Sequence, residues 1–448
     1  KSGAGANPLV TRTDAGTLAT STLGAQGDAV IIIQGSDYLS FDGIDLATSD
    51  QGIEYGYYLR KGSDVNGCKF VTIKNATVTL TKGTSAYVAG IYSSNNDSTS
   101  LVSSATGITV TSVDGRNENV TLTGNTISNV FAGIVLRGYN HSTTPYDFYD
   151  QNFVVGTNGA GNTIQNYAGN AVASAYGVYL IYHNNANVSY NTLNNILGGG
   201  SGATSIIYGI FNSTGTLSAF TANNNNINLT TSAATSAIYG INNASTGNLN
   251  IDNNTITINT TAATSGVIGC IYNNSAAASL TVSISNNNFV GTTLSTTGST
   301  YLIYNNSSQL TPGVTNVTGN TVSGVINRTG ATGTTYCYYN NGSPTGIENI
   351  FNNVFDSVST TGTGALYGIL STTGSSHTHN IFNNTIRDFT GGTGTVYGIH
   401  RTLASGSIYE NSVYNLAGGG TIYGMSNGTG TNNIYRNNVY NLSTSSTA

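Results

Sequence analysis

Charge is what this sequence has least of. Only 7% of its 448 residues are Asp, Glu, Lys or Arg, against roughly 25% in an ordinary soluble domain. Lys and Arg total 13, form no cluster, and leave a net charge of -5. A nucleic-acid surface needs a basic stripe, so no nucleic-acid partner is expected. No apolar run approaches the roughly 18 residues of a membrane span; Ala29-Val30-Ile31-Ile32-Ile33 has the length of a strand core. Tryptophan is absent and proline occurs 4 times. Scarce charge with abundant Gly, Asn, Ser and Thr could mean disorder, but disordered chains are also poor in aromatic and β-branched residues. This one has 29 Tyr and 12 Phe, with frequent Ile and Val, and its apolar residues recur at fixed spacing.

Two phrases carry that spacing. The first is an aromatic, a small and an apolar residue: Tyr176-Gly177-Val178, Tyr208-Gly209-Ile210, Tyr239-Gly240-Ile241, Tyr336-Cys337-Tyr338, Tyr367-Gly368-Ile369, Tyr397-Gly398-Ile399 and Tyr423-Gly424-Met425. The second is an Asn followed two residues later by an apolar residue. It begins at Asn162, Asn191, Asn225, Asn254, Asn287, Asn320, Asn353, Asn384, Asn411 and Asn437, in steps of 29, 34, 29, 33, 33, 33, 31, 27 and 26 residues. The phrases alternate, so one period of about 30 residues carries both. Apolar and polar residues alternate within each phrase, as in a strand with one buried face. Gly, Asn and Ser clusters mark turns between strands.

One such coil cannot bury its inner face, so coils must stack. The spacing therefore predicts an all-β, right-handed parallel β-helix of stacked three-strand coils. Stacking places the ten Asn residues in a side-chain amide ladder and the Tyr residues in an aromatic column. Leucine-rich repeats have a different consensus, and propeller blades a longer period. Cys270 and Cys337 fall two coils apart, too far for a disulfide at roughly 4.8 Å per coil. With Cys68 they are expected to be buried thiols, since their spacing matches no metal site.

The first third follows the same logic with insertions. Val71–Val78 and Val120–Ile127 read as ladder strands, with a step of 50 residues from Asn75 to Asn125. Residues 1–27 are expected to be a lead-in segment. Residues 28–448 are expected to form the β-helix, with loops inserted near 93–119 and 139–151. Function on a rigid scaffold tends to sit in such loops. Lys1 opens no visible signal peptide, so the chain is expected to be a mature or trimmed piece of a longer protein.

Chemistry is hard to place on this sequence. Polysaccharide-cleaving β-helices need clustered carboxylates, or Ca²⁺ with a basic residue. Between Gln151 and Ile347 the only charged residues are Asp252 and Arg328. No catalytic residue and no bound cofactor or metal is expected. The candidate ligand-binding set is Tyr146, Asp147, Tyr149 and Asp150, in the second insertion. Carboxylates beside exposed rings suit sugar binding or a weak Ca²⁺ site, with a capped turn as the alternative. Asp42 and Asp45 are expected at a ladder turn, Glu54 and Arg60 as a pair, and His377 and His379 as a solvated pair facing one side.

The stretches Gln34-Gly35-Ser36-Asp37-Tyr38, Phe41-Asp42-Gly43-Ile44, Glu54-Tyr55-Gly56-Tyr57-Tyr58, Thr72-Ile73-Lys74-Asn75 and Tyr146–Asn152 resemble the large secreted β-helix surface proteins of bacteria that use type IX secretion. The resemblance is strongest over residues 28–170. It implies a secreted or cell-surface, adhesin-like or structural role and brings no catalytic residue. The expected function is therefore a structural or adhesive segment of a fibre, surface array or large adhesin. Expected partners are self-association, further coils of the same polypeptide, or surface glycans. A polysaccharide-binding or polysaccharide-degrading β-helix is the alternative. Ice binding, prompted by Thr230-Thr231, Thr260-Thr261 and Thr360-Thr361, is the third reading.

Overall fold

A computed structural model describes residues 5–13, 27–50, 52–82, 88–101, 107–169, 173–275, 281–307, 312–342, 346–372, 378–403 and 405–445. Among them the regular structure is strand, apart from one short 3₁₀ turn at Val113–Gly115. The strand ladders pair in parallel, and the fold is an all-β parallel solenoid. The chain divides into two compact units, residues 1–229 and 230–448.

Each coil contributes a strand to three sheets in a fixed order. The tyrosine sheet of the first unit contains Ala29–Gln34, Tyr55–Arg60, Ala89–Ser93, Ala132–Arg137, Ala175–Ile181 and Ile207–Asn212. Its counterpart in the second unit contains Ile238–Asn243, Ile268–Asn273, Thr300–Asn305, Thr335–Asn340, Leu366–Ser371, Val396–Leu403 and Ile422–Thr429. The next sheet along the coil is represented by Ala186–Ser189 in the first unit and Val314–Thr318 in the second. The Asn corner follows, and then the ladder sheet, represented by Thr163–Tyr167 and Thr385–Thr390. Within residues 1–27, Leu9–Arg12 is a strand paired in parallel with Asp45–Thr48.

The Asn corners explain the sequence signal. In the first unit the Nδ2 of Asn125 donates to Asn162, that of Asn162 to Asn191, and that of Asn191 to Asn225, at 2.9 to 3.0 Å. In the second unit the ladder runs from Asn254 through Asn287, Asn320, Asn353, Asn384 and Asn411 to Asn437. Each acceptor Oδ1 also takes the backbone N–H of the donor rung, as Asn353 Oδ1 does from Asn320 at 3.0 Å. The second Nδ2 hydrogen goes to a backbone carbonyl, as from Asn320 to Ile284 at 2.9 Å. A buried amide must find such partners, since leaving one unpaired costs about 1–3 kcal/mol.

The residue before most rungs lies in the left-handed region. Examples are Asn224 at φ 56°, Asn253 at 55°, Asn286 at 54°, Asn352 at 56° and Asn383 at 54°. Asn tolerates that region better than most residues, which accounts for the repeated Asn-Asn pairs. It also corrects the reading of Asn75. With φ 55° it is the corner residue, and the ladder position in that coil belongs to Ala76, whose N–H donates to Asn125 Oδ1.

The tyrosine phrase is an axial packing device. In the second unit Tyr301, Tyr336, Tyr367, Tyr397 and Tyr423 stack with centroids 5.0, 5.3, 4.7 and 5.0 Å apart and planes within 9°. In the first unit Tyr176 stacks on Tyr208 at 5.3 Å. Glycine follows the Tyr where successive coils close up. A Cβ on Gly177 would sit 2.5 Å from the Gly209 carbonyl, and one on Gly368 2.5 Å from that of Gly398. Cys270, Leu302 and Cys337 take this position in three successive coils, which puts the two thiols two coils apart. All three cysteines are buried and free, and burial pushes the Cys270 thiol up to about 12.

Candidate functional site

The second insertion folds as two tight turns. Tyr146 N–H donates to the Thr143 carbonyl at 2.8 Å, and Tyr149 N–H to the Tyr146 carbonyl at 3.2 Å. These turns divide the four candidate residues. Asp147 is exposed, and its backbone carbonyl accepts a bond from Arg116 Nη1 at 2.8 Å. Tyr146 is half-buried and stacks on Tyr149 at 5.6 Å. Tyr149 points inward and its hydroxyl accepts from Thr216 N–H at 3.2 Å. Burial raises its phenol, an effect the Thr216 bond opposes. Asp150 is fully buried. The two carboxylates thus lie on opposite sides of the loop wall.

Asp150 belongs instead to an interior polar cluster. Its Oδ1 lies 2.8 Å from Lys61 Nζ, with both side chains at 0% exposure. The Asn117 N–H donates to the same oxygen at 2.9 Å. Burial raises the Asp150 carboxyl despite the opposing pull of Lys61 and Asn117. Lys61 continues the inward alternation of Tyr57 and Leu59, and its N–H caps the Asn96 carbonyl at 2.8 Å. In the next coil His183 pairs in register with Asp150. It is buried edge-on against Phe153, with centroids 4.6 Å apart, and burial followed by the charge of Lys61 lowers its pKa to about 3. Sequence reasoning missed Lys61 and His183. The alternation through Tyr57, Leu59 and Lys61 was the available signal.

The second unit has its own buried cluster. Glu348 accepts from the Tyr338 hydroxyl and from Asn340 Nδ2, the latter at 2.7 Å, and lies 3.1 Å from His379 Nδ1. Ser371 Oγ is 2.6 Å from that same Nδ1. A Ser–His–acid relay needs the serine and the acid on different ring nitrogens. Here both meet one nitrogen, inside the coil. His379 is therefore buried rather than solvated, with its pKa lowered chiefly by burial; His377 lies outside the described residues.

The remaining charges are placed as follows. Asp252 accepts from Ser285 and Asn286 at 2.8 and 2.9 Å. Asp42 accepts from Asn75 at 2.8 Å and sits 3.2 Å from Lys74, which together lower its carboxyl. Asp45 accepts the Thr77 N–H at 2.7 Å. Arg60 donates to Gln34 rather than pairing with Glu54. Arg328 is fully buried, and its guanidinium nitrogens have no hydrogen-bond partner among the described residues.

Surface arrays bear on the binding alternatives. Thr230, Thr231 and Thr360 are buried, so these pairs do not form one exposed threonine plane. Phe351, Phe382, Tyr409 and Tyr435 stack at 4.9, 4.9 and 5.0 Å beside the Asn316–Asn349–Asn380 amide row. Rings stacked on one another show only edges sideways, whereas sugar stacking needs an open face. Tyr38, stacked on Phe70 at 4.9 Å and 77% exposed, is the more open ring. Among the described residues no three His, Cys, Asp or Glu side chains group as a metal site, and no helix is long and apolar enough to cross a membrane. No protein-family model matches the chain, and a search of curated proteins finds none similar to it.

Proposed function

We propose that this chain is a structural and adhesive segment of an extracellular, cell-surface protein. The carrying observation is how the coils use their polar side chains. From Asn254 to Asn437 the rung amides are committed to their axial neighbours, and the stacked aromatics of the same unit are committed to one another. A scaffold is what such commitment supports. Three stacked columns of the second unit carry the outer rings Tyr423, Tyr435 and Tyr440, which remain 43, 44 and 47% exposed. Self-association, or pairing with further coils of the same repeat, is the first partner class. Surface glycans are the second partner class, through the open face of Tyr38.

Sedimentation over a concentration series tests assembly: self-association weakened by Tyr435→Lys is expected, and a monomer at every concentration removes it. A glycan array with wild type and Tyr38→Ala tests the second class, with binding expected only for the wild type. Cleavage of pectin or alginate abolished by Asp147→Asn would replace the scaffold reading with an enzyme.

A further inference from the structure

The contact between Lys61 and Asp150 is costly as an ion pair. Neither side chain reaches solvent, and 89 residues of chain separate them. Two charges held out of water are repaid only when their remaining hydrogen-bonding capacity is satisfied. Here it is not: Oδ1 takes both Lys61 Nζ and the Asn117 N–H, while Oδ2 has no hydrogen-bond partner among the described residues. The neighbour in register, His183, is buried, and neither ring nitrogen has a hydrogen-bond partner among the described residues. Passing one proton across the 2.8 Å contact removes both buried charges. It leaves a free amine against a carboxylic acid. Those are the reactants of amide formation, and groups held in such proximity reach effective concentrations on the order of 10⁵ M or more.

We propose that Lys61 and Asp150 condense within the folded chain to form an isopeptide bond. The amine nitrogen attacks Cγ of Asp150, so an N–C bond forms and a C–O bond breaks. Oδ1, held by the Asn117 N–H, remains as the amide carbonyl oxygen. Oδ2, without a hydrogen-bond partner among the described residues, leaves as hydroxyl. That hydroxyl carries the proton first passed to the carboxyl, which moves from Oδ1 to Oδ2; one amine hydrogen then joins it and one water departs, so no oxidant, nucleotide or second substrate is needed. The neutral ring of His183 is the neighbouring group that carries the hydrogen from nitrogen to oxygen. The product closes a covalent loop through the coils between the two residues and replaces a buried ion pair with a neutral amide.

Intact-mass measurement of the purified protein, followed by peptide mapping, tests this. The expected mass is one water below that of the sequence, with a branched peptide joining Lys61 to Asp150. Lys61→Arg keeps the positive charge but cannot form the amide, and Asp150→Ala removes the acid. Both are expected at full sequence mass, and both to migrate more slowly than wild type in a denaturing gel. Wild type at full sequence mass overturns the proposal. So does a water loss that maps elsewhere, as a succinimide at Asp42-Gly43 would. Because the wild-type map decides alone, the test stands even if a variant fails to fold.

Discussion

In the second unit seven Asn rungs follow one another from Asn254 to Asn437, and four successive ring pairs join Tyr301 to Tyr423. In the first unit the ladder has four rungs, Asn125 to Asn225, and the coil before them carries Ala76 at that position. Both loop insertions lie in this first unit, and so does the buried Lys61–Asp150 contact. The difference teaches where a solenoid takes its order from. Regular coils align the same uncharged group along the axis, where each rung is satisfied by the next. Across the first insertion the rung is lost, with Ala76 in its place, whereas across the second the Asn125–Asn162 rung persists; the coils that carry the loops add a long-range contact between unlike side chains.

Replacing Lys61 with Ala would strike the first unit hardest. It removes the Lys61–Asp150 link, whether ion pair or amide, and strands a buried carboxyl; breaking a buried pair alone costs about 3–5 kcal/mol. Chemical denaturation should show that loss, and an effect below 1 kcal/mol would mean the pair is not buried in solution.

Acid should act through His183. Its folded pKa, about 3, lies below the unfolded value of 6.5, so the unfolded chain binds the extra proton. Stability is then full above pH 6.5 and is lost as pH falls from 6.5 toward 3, by an amount on the order of 4 kcal/mol at the acid end. His379 is shifted the same way. In chains where the Lys61–Asp150 amide has not formed, the raised Asp150 carboxyl works in the opposite sense, favouring the folded state as pH falls. A His183→Phe variant should flatten the profile of thermal midpoint against pH, and an unchanged slope would show that His183 titrates normally.

A single rung tests the second unit. Asn320→Ala removes donors and an acceptor from the middle of the ladder and should cost about 2–3 kcal/mol. The same change at Asn437, with one axial neighbour in this chain, should cost less, and equal losses would refute cooperative axial support. The smallest effect expected is a gain. Arg328→Met removes a buried guanidinium that has no hydrogen-bond partner among the described residues and should raise stability by about 1 kcal/mol or more. A lower melting temperature would reveal a partner for that side chain.

Much of this architecture was legible because axial stacking repeats the same demand every coil. Each predicted rung from Asn162 to Asn437 takes part in the ladder, and the Tyr phrases lie on one sheet. Asn75 was misread for a physical reason: the left-handed corner and the amide rung both favour Asn, so one residue type serves adjacent positions. The division near residue 229 left no mark in the repeat. The candidate loop was found, but its carboxylates were not separable in sequence. Whether Asp147 or Asp150 points inward depends on two turns at Tyr146 and Tyr149. The partner of Asp150 lies 89 residues away in a corner that no local pattern specifies.

The direction of the ladders has an electrical consequence. Within each unit the rung-to-rung bonds donate toward the higher-numbered Asn, with the backbone N–H onto the same oxygen fixing that sense. The outer rows point the other way: Asn185 donates to Asn152 and Asn152 to Asn119, Asn380 to Asn349 and Asn349 to Asn316, and Asn441 to Asn415. Aligned amide dipoles add along a row as they do along a helix. Opposed rows inside and outside the same wall therefore cancel much of each other's field, so coils can be added without building up potential at either end.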